Sequence, residues 1–265
     1  MRGRPSGTAI GATKRKIPPY GGVLRRFATS TPSGNGITLS AIHPAYRHGR
    51  TLFPSRVFDP DEMPRVLKSG LHSRKIGKTV MKGRLKGAPI FTLTLEERAT
   101  CPRSCEAWAI CYGNNMQAAE RITPGPALEQ SLWGELENMQ EDYPGGFLVR
   151  LHVLGDFYSV DYVEMWGRAL AAFPALHIFG YTARLPGTPI GDAIERLAEG
   201  DWGRFAIRFS GRDAPLKSAV LGDHRADSHP AGGAIICPAQ TEKTDCCATC
   251  ALCWQSDRSI MFLRH

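Results

Sequence analysis

From residue 88 onward, short β-branched or aromatic runs alternate with stretches of helical spacing, and this order limits the folds open to the chain. Residues 89–95 (PIFTLTL), 145–157 (GGFLVRLHVLGDF), 176–182 (LHIFGYT), 204–211 (RFAIRFSG), 233–238 (GAIICP) and 259–263 (SIMFL) read as strands. Between them, residues 104–121, 127–142, 160–173 and 189–200 carry helical spacing, and a single helical turn is expected near 215–221. Leu128, Leu132, Leu136 and Met139 share one face of the second helix, and Tyr162, Trp166, Leu170 and Phe173 line up on the third. Alternation with short loops favours parallel strands joined by crossover helices. The expected class is therefore α/β, as a partial (β/α)6 barrel or an open parallel sheet.

Strand parity adds chemistry to this outline. In 145–157, Val149, Leu151 and Val153 oppose Arg150, His152 and Asp156; in 204–211, Phe205, Ile207 and Phe209 oppose Arg208 and Ser210. A parallel sheet covered on both faces usually shows continuous apolar runs, so the polar face should meet water or a polar cavity. Ligands in such folds bind near the carboxyl ends of the strands. The plainer alternative is an antiparallel sheet with one solvated side.

The 265 residues, 42% hydrophobic and 22% charged, suffice for one large or two small domains. No apolar stretch nears the roughly 20 residues needed to span a bilayer. The basic start has no apolar segment behind it, so secretion is not expected and a cytoplasmic location is. In a reducing compartment, clustered cysteines more often bind metal or react than form disulfides.

The eight cysteines fall into two clusters. Cys237, Cys247, Cys250 and Cys253 offer four soft ligands through a CxxCxxC run and a residue just past a strand, which suits an iron–sulfur cluster, with zinc as the alternative. Cys246 is left over as a spare thiol. Cys101, Cys105 and Cys111 supply only three thiolates, enough for a structural site completed by histidine or for a [4Fe–4S] cluster with one iron open. Buried unreactive thiols are the bland reading, since cysteine packs as a small hydrophobe. His43, His48, His72 and His152 have no second ligand at helical spacing and read as surface or core. Trp108, Trp133 and Trp166 read as core.

Charge is divided along the chain: residues 1–90 hold 18 lysines and arginines against three acids, and the remainder holds 15 against 22. Residues 1–36 read as a flexible basic arm bearing Lys14, Arg15, Lys16, Arg25 and Arg26. Residues 37–88 form a basic extension in which Arg74, Lys75, Lys78, Lys82, Arg84 and Lys86 alternate with Ile76, Val80 and Leu85, as in a ribbon or hairpin with one charged face. Nucleic acid is the expected partner, because each neutralised phosphate releases counterions; a merely solvated surface is the other reading. The α/β core with the first cysteines then covers 89–232, and the final strands with the cysteine-rich site cover 233–265.

With these residues in view, residues 39–254 resemble the gene product 88 family of phage and prophage proteins, through TCPRSC followed by CY, LGDFYS with a tryptophan on the next helix, YTAR, and CATCALCW. The resemblance implies a viral or mobile-element context rather than a reaction. The order of motifs is also similar to a radical S-adenosylmethionine core, which implies a six-stranded partial barrel. On that likeness Cys101, Cys105 and Cys111 would hold a [4Fe–4S] cluster whose open iron chelates S-adenosylmethionine. Gly155 and Asp156 would end the next strand at the cofactor, with Asp156 meeting its amine; Arg208 or Ser210 would meet its carboxylate or ribose, and Tyr181 would end the third strand beside it. The chain departs from that pattern in the five residues between Cys105 and Cys111 and in Tyr112 following the last cysteine.

Three functions are then open. One is a radical S-adenosylmethionine-like iron–sulfur enzyme acting on nucleic acid or a nucleotide-derived substrate. Another is a non-catalytic nucleic-acid-binding protein with structural iron–sulfur or zinc sites. A zinc hydrolase or deaminase would need a His-x-Glu motif, which the sequence lacks.

Overall fold

The structure, a computed structural model, describes residues 36–73, 75–211, 214, 216–222 and 233–263. The expected arm with Lys14, Arg15, Lys16, Arg25 and Arg26 lies outside the described residues, as does Arg74. In chain order the first elements are α1 (Pro44–His48), β1 (Val57–Phe58), β2 (Lys68–Ser69), β3 (Ile90–Thr92), β4 (Arg121–Ile122) and α2 (Pro126–Asp142). The core continues through β5 (Phe147–Leu151), α3 (Val160–Ala172), β6 (Leu176–Thr182), α4 (Pro189–Gly200) and β7 (Phe205–Ser210). It ends with β8 (Ser218–Gly222), β9 (Ile235–Ile236), α5 (Cys247–Cys250), α6 (Leu252–Gln255) and β10 (Ile260–Leu263).

Eight strands form one sheet in the order β2-β3-β5-β6-β7-β8-β10-β9, and β1 pairs with β4 apart from it. Every pairing in the large sheet is parallel except β2 with β3. Strands β3, β5, β6, β7 and β8 succeed one another in chain order, so the crossovers through α2, α3 and α4 step in one direction and leave those helices on one face. The sheet is open, with β2 and β9 at its edges; it does not close into a barrel.

Sequence accounts for both faces. Phe147, Val149 and Leu151 of β5, Leu176 and Ile178 of β6, and Phe205, Ile207 and Phe209 of β7 pack against Leu128, Leu132 and Leu136 of α2, Trp166 of α3 and Ile194 of α4. The two later helices begin on hydroxyl caps, Ser159 Oγ accepting from Tyr162 N–H and Thr188 Oγ1 from Gly191 N–H. On the opposite face Ile90, Leu148, Phe179 and Ala206 contact Ile76, Val80, Leu85 and Ala88, together with Ala248, Ala251 and Trp254. That face is covered by the basic ribbon and the cysteine-rich segment, with no helix of the α2–α4 layer on it. The ribbon folds back on itself through Val80 N–H to Ala88 O (2.9 Å) and Gly87 N–H to Val80 O (2.8 Å). It holds its apolar side inward while Lys78, Lys82, Arg84 and Lys86 stay exposed.

Three expectations need correction. Residues 104–121 form turns with one 3-10 turn at Tyr112–Asn115, then β4, because their carbonyls serve other donors: Trp108 O accepts from Arg98, Ala109 O from Asn114 and Leu39, and Gly113, Met116 and Ala119 O from Arg121. The region near 215–221 contributes strand β8, paired on both sides, in place of a helical turn. His152 does not share a face with Arg150, because β5 ends at Leu151 and the alternation ends with it. Its ring turns to the helix layer, packs on Phe157, and shares a 3.0 Å hydrogen bond with Tyr162 Oη.

Candidate metal centres

The first cysteine site is a loop after β3, and buried polar groups fix it. Glu97 and Arg121, both at most 1% exposed in their side chains, form an ion pair at 2.7 Å. Arg121 also donates to Gly113, Met116 and Ala119 O, and Glu97 accepts from Thr51 Oγ1. Glu96 receives Arg50 Nε and the backbone N–H of Thr51. Arg98, at φ +62°, donates to Trp108 O and Arg50 O and bonds Asn114 Oδ1. From outside, α1 is tied on by Trp108 Nε1–H to Tyr46 O and by the Arg103 guanidinium to Tyr46 and Arg47 O. A loop that lacks a regular ladder satisfies its backbone through side chains instead.

This frame presents Cys101, Cys105 and Cys111, each partly buried. Burial is the main cause that raises all three thiols above the ordinary value; Cys105 and Cys111 add to the effect at Cys101, so the three lie within electrostatic reach of one another. Asp156 acts on Cys101 and Cys105 in the same direction. Its carboxylate is buried, which pushes its pKa up to about 6 against the pull of three donors: Thr182 Oγ1–H and the N–H groups of Phe157 and Ala183, at 2.7–2.8 Å. Asp156 thus latches the end of β5 to the end of β6. Gly155 precedes it at φ +84°, where a Cβ would come within 2.6 Å of Leu95 Cβ and Thr100 Oγ1. Arg184 completes the latch, donating to Phe157 O and Thr100 O. Beside the loop opens a cleft of about 410 Å³ lined by Pro102, Ser104, Val160, Arg184 and Leu185 among others.

The second site lies on the other face of the sheet. Cys237 follows β9, Cys247 and Cys250 sit on α5 and Cys253 on α6, and all four line one small cavity of about 20 Å³ with Trp254 and Ile260. Burial raises Cys237 to about 11 and also raises Cys247 and Cys250, with the charge of Cys253 adding to each. Cys246 is outside that lining and packs in the apolar layer against Gly77. Tyr181 Oη lies 2.9 Å from Cys253 Sγ. Arg208, fully buried, donates to the carbonyls of Cys253, Ser256 and Arg258. Tyr181 and Arg208, which the radical-enzyme likeness would put at the first site, therefore stand at the second. Ser210 ends β7, beside Gly211, whose Cβ position faces Glu106 of the first loop.

Among the described residues, no three His, Cys, Asp or Glu side chains are close enough to ligate one metal ion directly. The donor chemistry nevertheless suits a metal: soft sulfur in both places, and four thiols around one cavity.

The two sites are joined by the ribbon. Lys75 Nζ stands 4.1 Å over the ring of Tyr112, next to Cys111, while Lys75 O and Ile76 O accept from the N–H groups of Cys247 and Ala248. Lys82 O receives Gln255 Nε2–H, and Arg84 bonds Gly203 O. Sequence reading missed Glu97, Arg98, Arg121 and Arg184. The cue to Glu97 and Arg98 was charge beside cysteine in ERATC; Arg184 lies in YTAR, and nothing local marked Arg121. No helix of the described residues is long and apolar enough to cross a membrane.

No curated protein and no solved structure matches the chain. Residues 66–188, which take in the first cysteine cluster, LGDFYS and YTAR but stop short of the closing cysteines, match the family model described as gene product 88.

Proposed function

We propose that this chain is an iron–sulfur protein with two centres, whose three-cysteine site performs radical S-adenosylmethionine-like chemistry on nucleic acid or a nucleotide-derived substrate. One observation supports the reading: Cys101, Cys105 and Cys111, all partly buried, belong to one loop after the first parallel strand, which buried side-chain contacts hold beside a cleft of about 410 Å³. Three thiolates leave one iron of a [4Fe–4S] cluster without protein sulfur and so free for a ligand. Such a cluster supplies a low-potential electron to whatever binds there. The chain's own contribution is to hold Cys101, Cys105 and Cys111 through the Glu97–Arg121 and Arg98–Asn114 contacts. The cleft, with Arg184 at its wall, gives a substrate access. The exposed face of Lys78, Lys82, Arg84 and Lys86, with Lys75 and the basic residues of the first 36 positions adding charge, would track phosphates.

Anaerobic reconstitution followed by iron and sulfide analysis tests the centres: cluster-level iron is expected, and zinc alone overturns the reading. Incubation with S-adenosylmethionine and dithionite should release 5′-deoxyadenosine, and Cys105→Ser should abolish it.

A second reading has its own support. Asp156, Tyr181 and Arg208 are each engaged in internal hydrogen bonds, as befits a structural role. A non-catalytic nucleic-acid-binding protein with stapling metal sites would bind iron or zinc and DNA or RNA, and would release no nucleoside product.

A further inference from the structure

The second cysteine site carries an electrostatic feature that no sequence motif announces. Two guanidiniums, Arg150 and Arg208, lie on the sheet face that holds the four-thiol cavity. Arg208 is fully buried, donates to the carbonyls of Cys253, Ser256 and Arg258, and stacks 5.0 Å over Trp202. Arg150 donates to Leu151 O and stands 4.6 Å over the ring of Tyr181 and 5.6 Å over Phe179. Neither forms an ion pair with a carboxylate among the described residues. A cation enclosed in protein, as Arg208 is, is ordinarily paired, because removing a charge from water without compensation is costly; Arg150 beside it is partly buried. The compensation absent in carboxylates is available in sulfur. A divalent centre held by four thiolates carries two net negative charges, and two guanidiniums match them.

We infer that Arg150 and Arg208 are the built-in counter-charges of a four-thiolate centre formed by Cys237, Cys247, Cys250 and Cys253, with Tyr181 Oη–H donating to Cys253 Sγ. The inference rests on the metal-binding reading of that site and assigns its charge partners. Arg208 has a second task, since its three carbonyl contacts anchor the turn that follows α6. Among the described residues Arg150 makes no hydrogen bond to the backbone of the cysteine segment, so it isolates the electrostatic role. Both are positioning and charge-balancing groups. Outer partners of metal ligands typically change metal affinity by roughly 10-fold to 100-fold when removed.

The test uses the full chain carrying Cys101→Ser, Cys105→Ser and Cys111→Ser, so that only the second site loads metal. Loss of bound metal to a chelator is followed for this parent, for Arg150→Met and for Arg150→Lys, with circular dichroism confirming the fold. Arg150→Met should release metal about 10-fold or more faster, and Arg150→Lys, which keeps the charge, should stay near the parent. If the parent holds no metal, the underlying reading of the site fails. If it holds metal and Arg150→Met loses it no faster, the counter-charge inference alone fails. Tyr181→Phe is the second variant, should Arg150→Met not fold. It removes one donor and should shift the thiolate-to-metal absorption and speed metal loss a few-fold; an unchanged spectrum and rate would also overturn the inference.

Discussion

Replacing Glu97 with glutamine would test how the first cysteine loop is held. The substitution keeps the shape and removes the negative charge opposite a guanidinium that is itself 0% exposed, so Arg121 would remain in the interior with three carbonyls and no anion. Breaking a buried pair from one side costs about 3–5 kcal/mol, because a charge stays desolvated without its partner. In a chain of this size each kcal/mol corresponds to roughly 2–4 °C, so the melting temperature should drop by on the order of 10 °C. Arg121→Met should cost a similar amount. The double variant should recover much of the loss, since the Gln–Met pair leaves no orphaned charge on either side. Scanning calorimetry on the four proteins gives the coupling directly. The Cβ position of Gly113 lies 2.8 Å from Glu97, so a loosened Glu97 should also expose Cys111 to thiol reagents. A loss under about 1 kcal/mol for both single variants, against the 3–5 kcal/mol expected of a buried pair, would show that the pair does not organise the loop.

Other outcomes follow from the same geometry. Gly155→Ala must place a Cβ 2.6 Å from two neighbours at φ +84°, and urea titration should show a loss of about 1–3 kcal/mol. Burial, with the Arg150 charge second, lowers the His152 pKa from 6.5 to about 3, so the unfolded chain takes up a proton that the folded chain refuses. His152 should therefore contribute a fall of about 1.4 kcal/mol per unit as the pH drops from 6.5 towards 3, opposed between about 6 and 3.8 by Asp156, whose raised pKa makes the folded chain take up that proton first. The stability difference between the parent and His152→Gln, measured by denaturant unfolding across this range, should isolate the His152 slope. Changing Lys78, Lys82, Arg84 and Lys86 together to glutamine should weaken binding to duplex DNA and lower the salt slope by roughly one unit per lost phosphate contact. An unchanged slope would remove the ribbon from the interface.

The large elements were legible because their spacing was strong. The Leu128, Leu132, Leu136 and Met139 series becomes the buried face of α2, and the opposition of Phe205, Ile207 and Phe209 to Arg208 survives in β7. The ribbon was legible for the same reason, Ile76, Val80 and Leu85 turning inward and the lysines outward. The loop at 96–116 was not legible, because its helical spacing competes with distant donors. Arg98, Asn114 and Arg121 take carbonyls that a helix would have used, and no local pattern reveals partners encoded elsewhere in the chain. At the second candidate site, the placing of Cys237 with Cys247, Cys250 and Cys253 around one cavity was readable from spacing, but the position of Tyr181 and Arg208 was not. Sequence order put them at strand ends, and only the packing of α6 against β6 and β7 puts them beside Cys253.

Strand β10 lies between β8 and β9, although β9 precedes it in the chain. Until residues 260–263 arrive, residues 235–236 have no neighbour in the sheet to bond, and Cys237, whose N–H donates to Met261 O at 2.8 Å, has nothing to hold it near the other three thiols. Insertion of that strand therefore fixes Cys237 beside β10 and, on the metal-binding reading proposed above, would couple completion of the sheet to assembly of the four-thiol site.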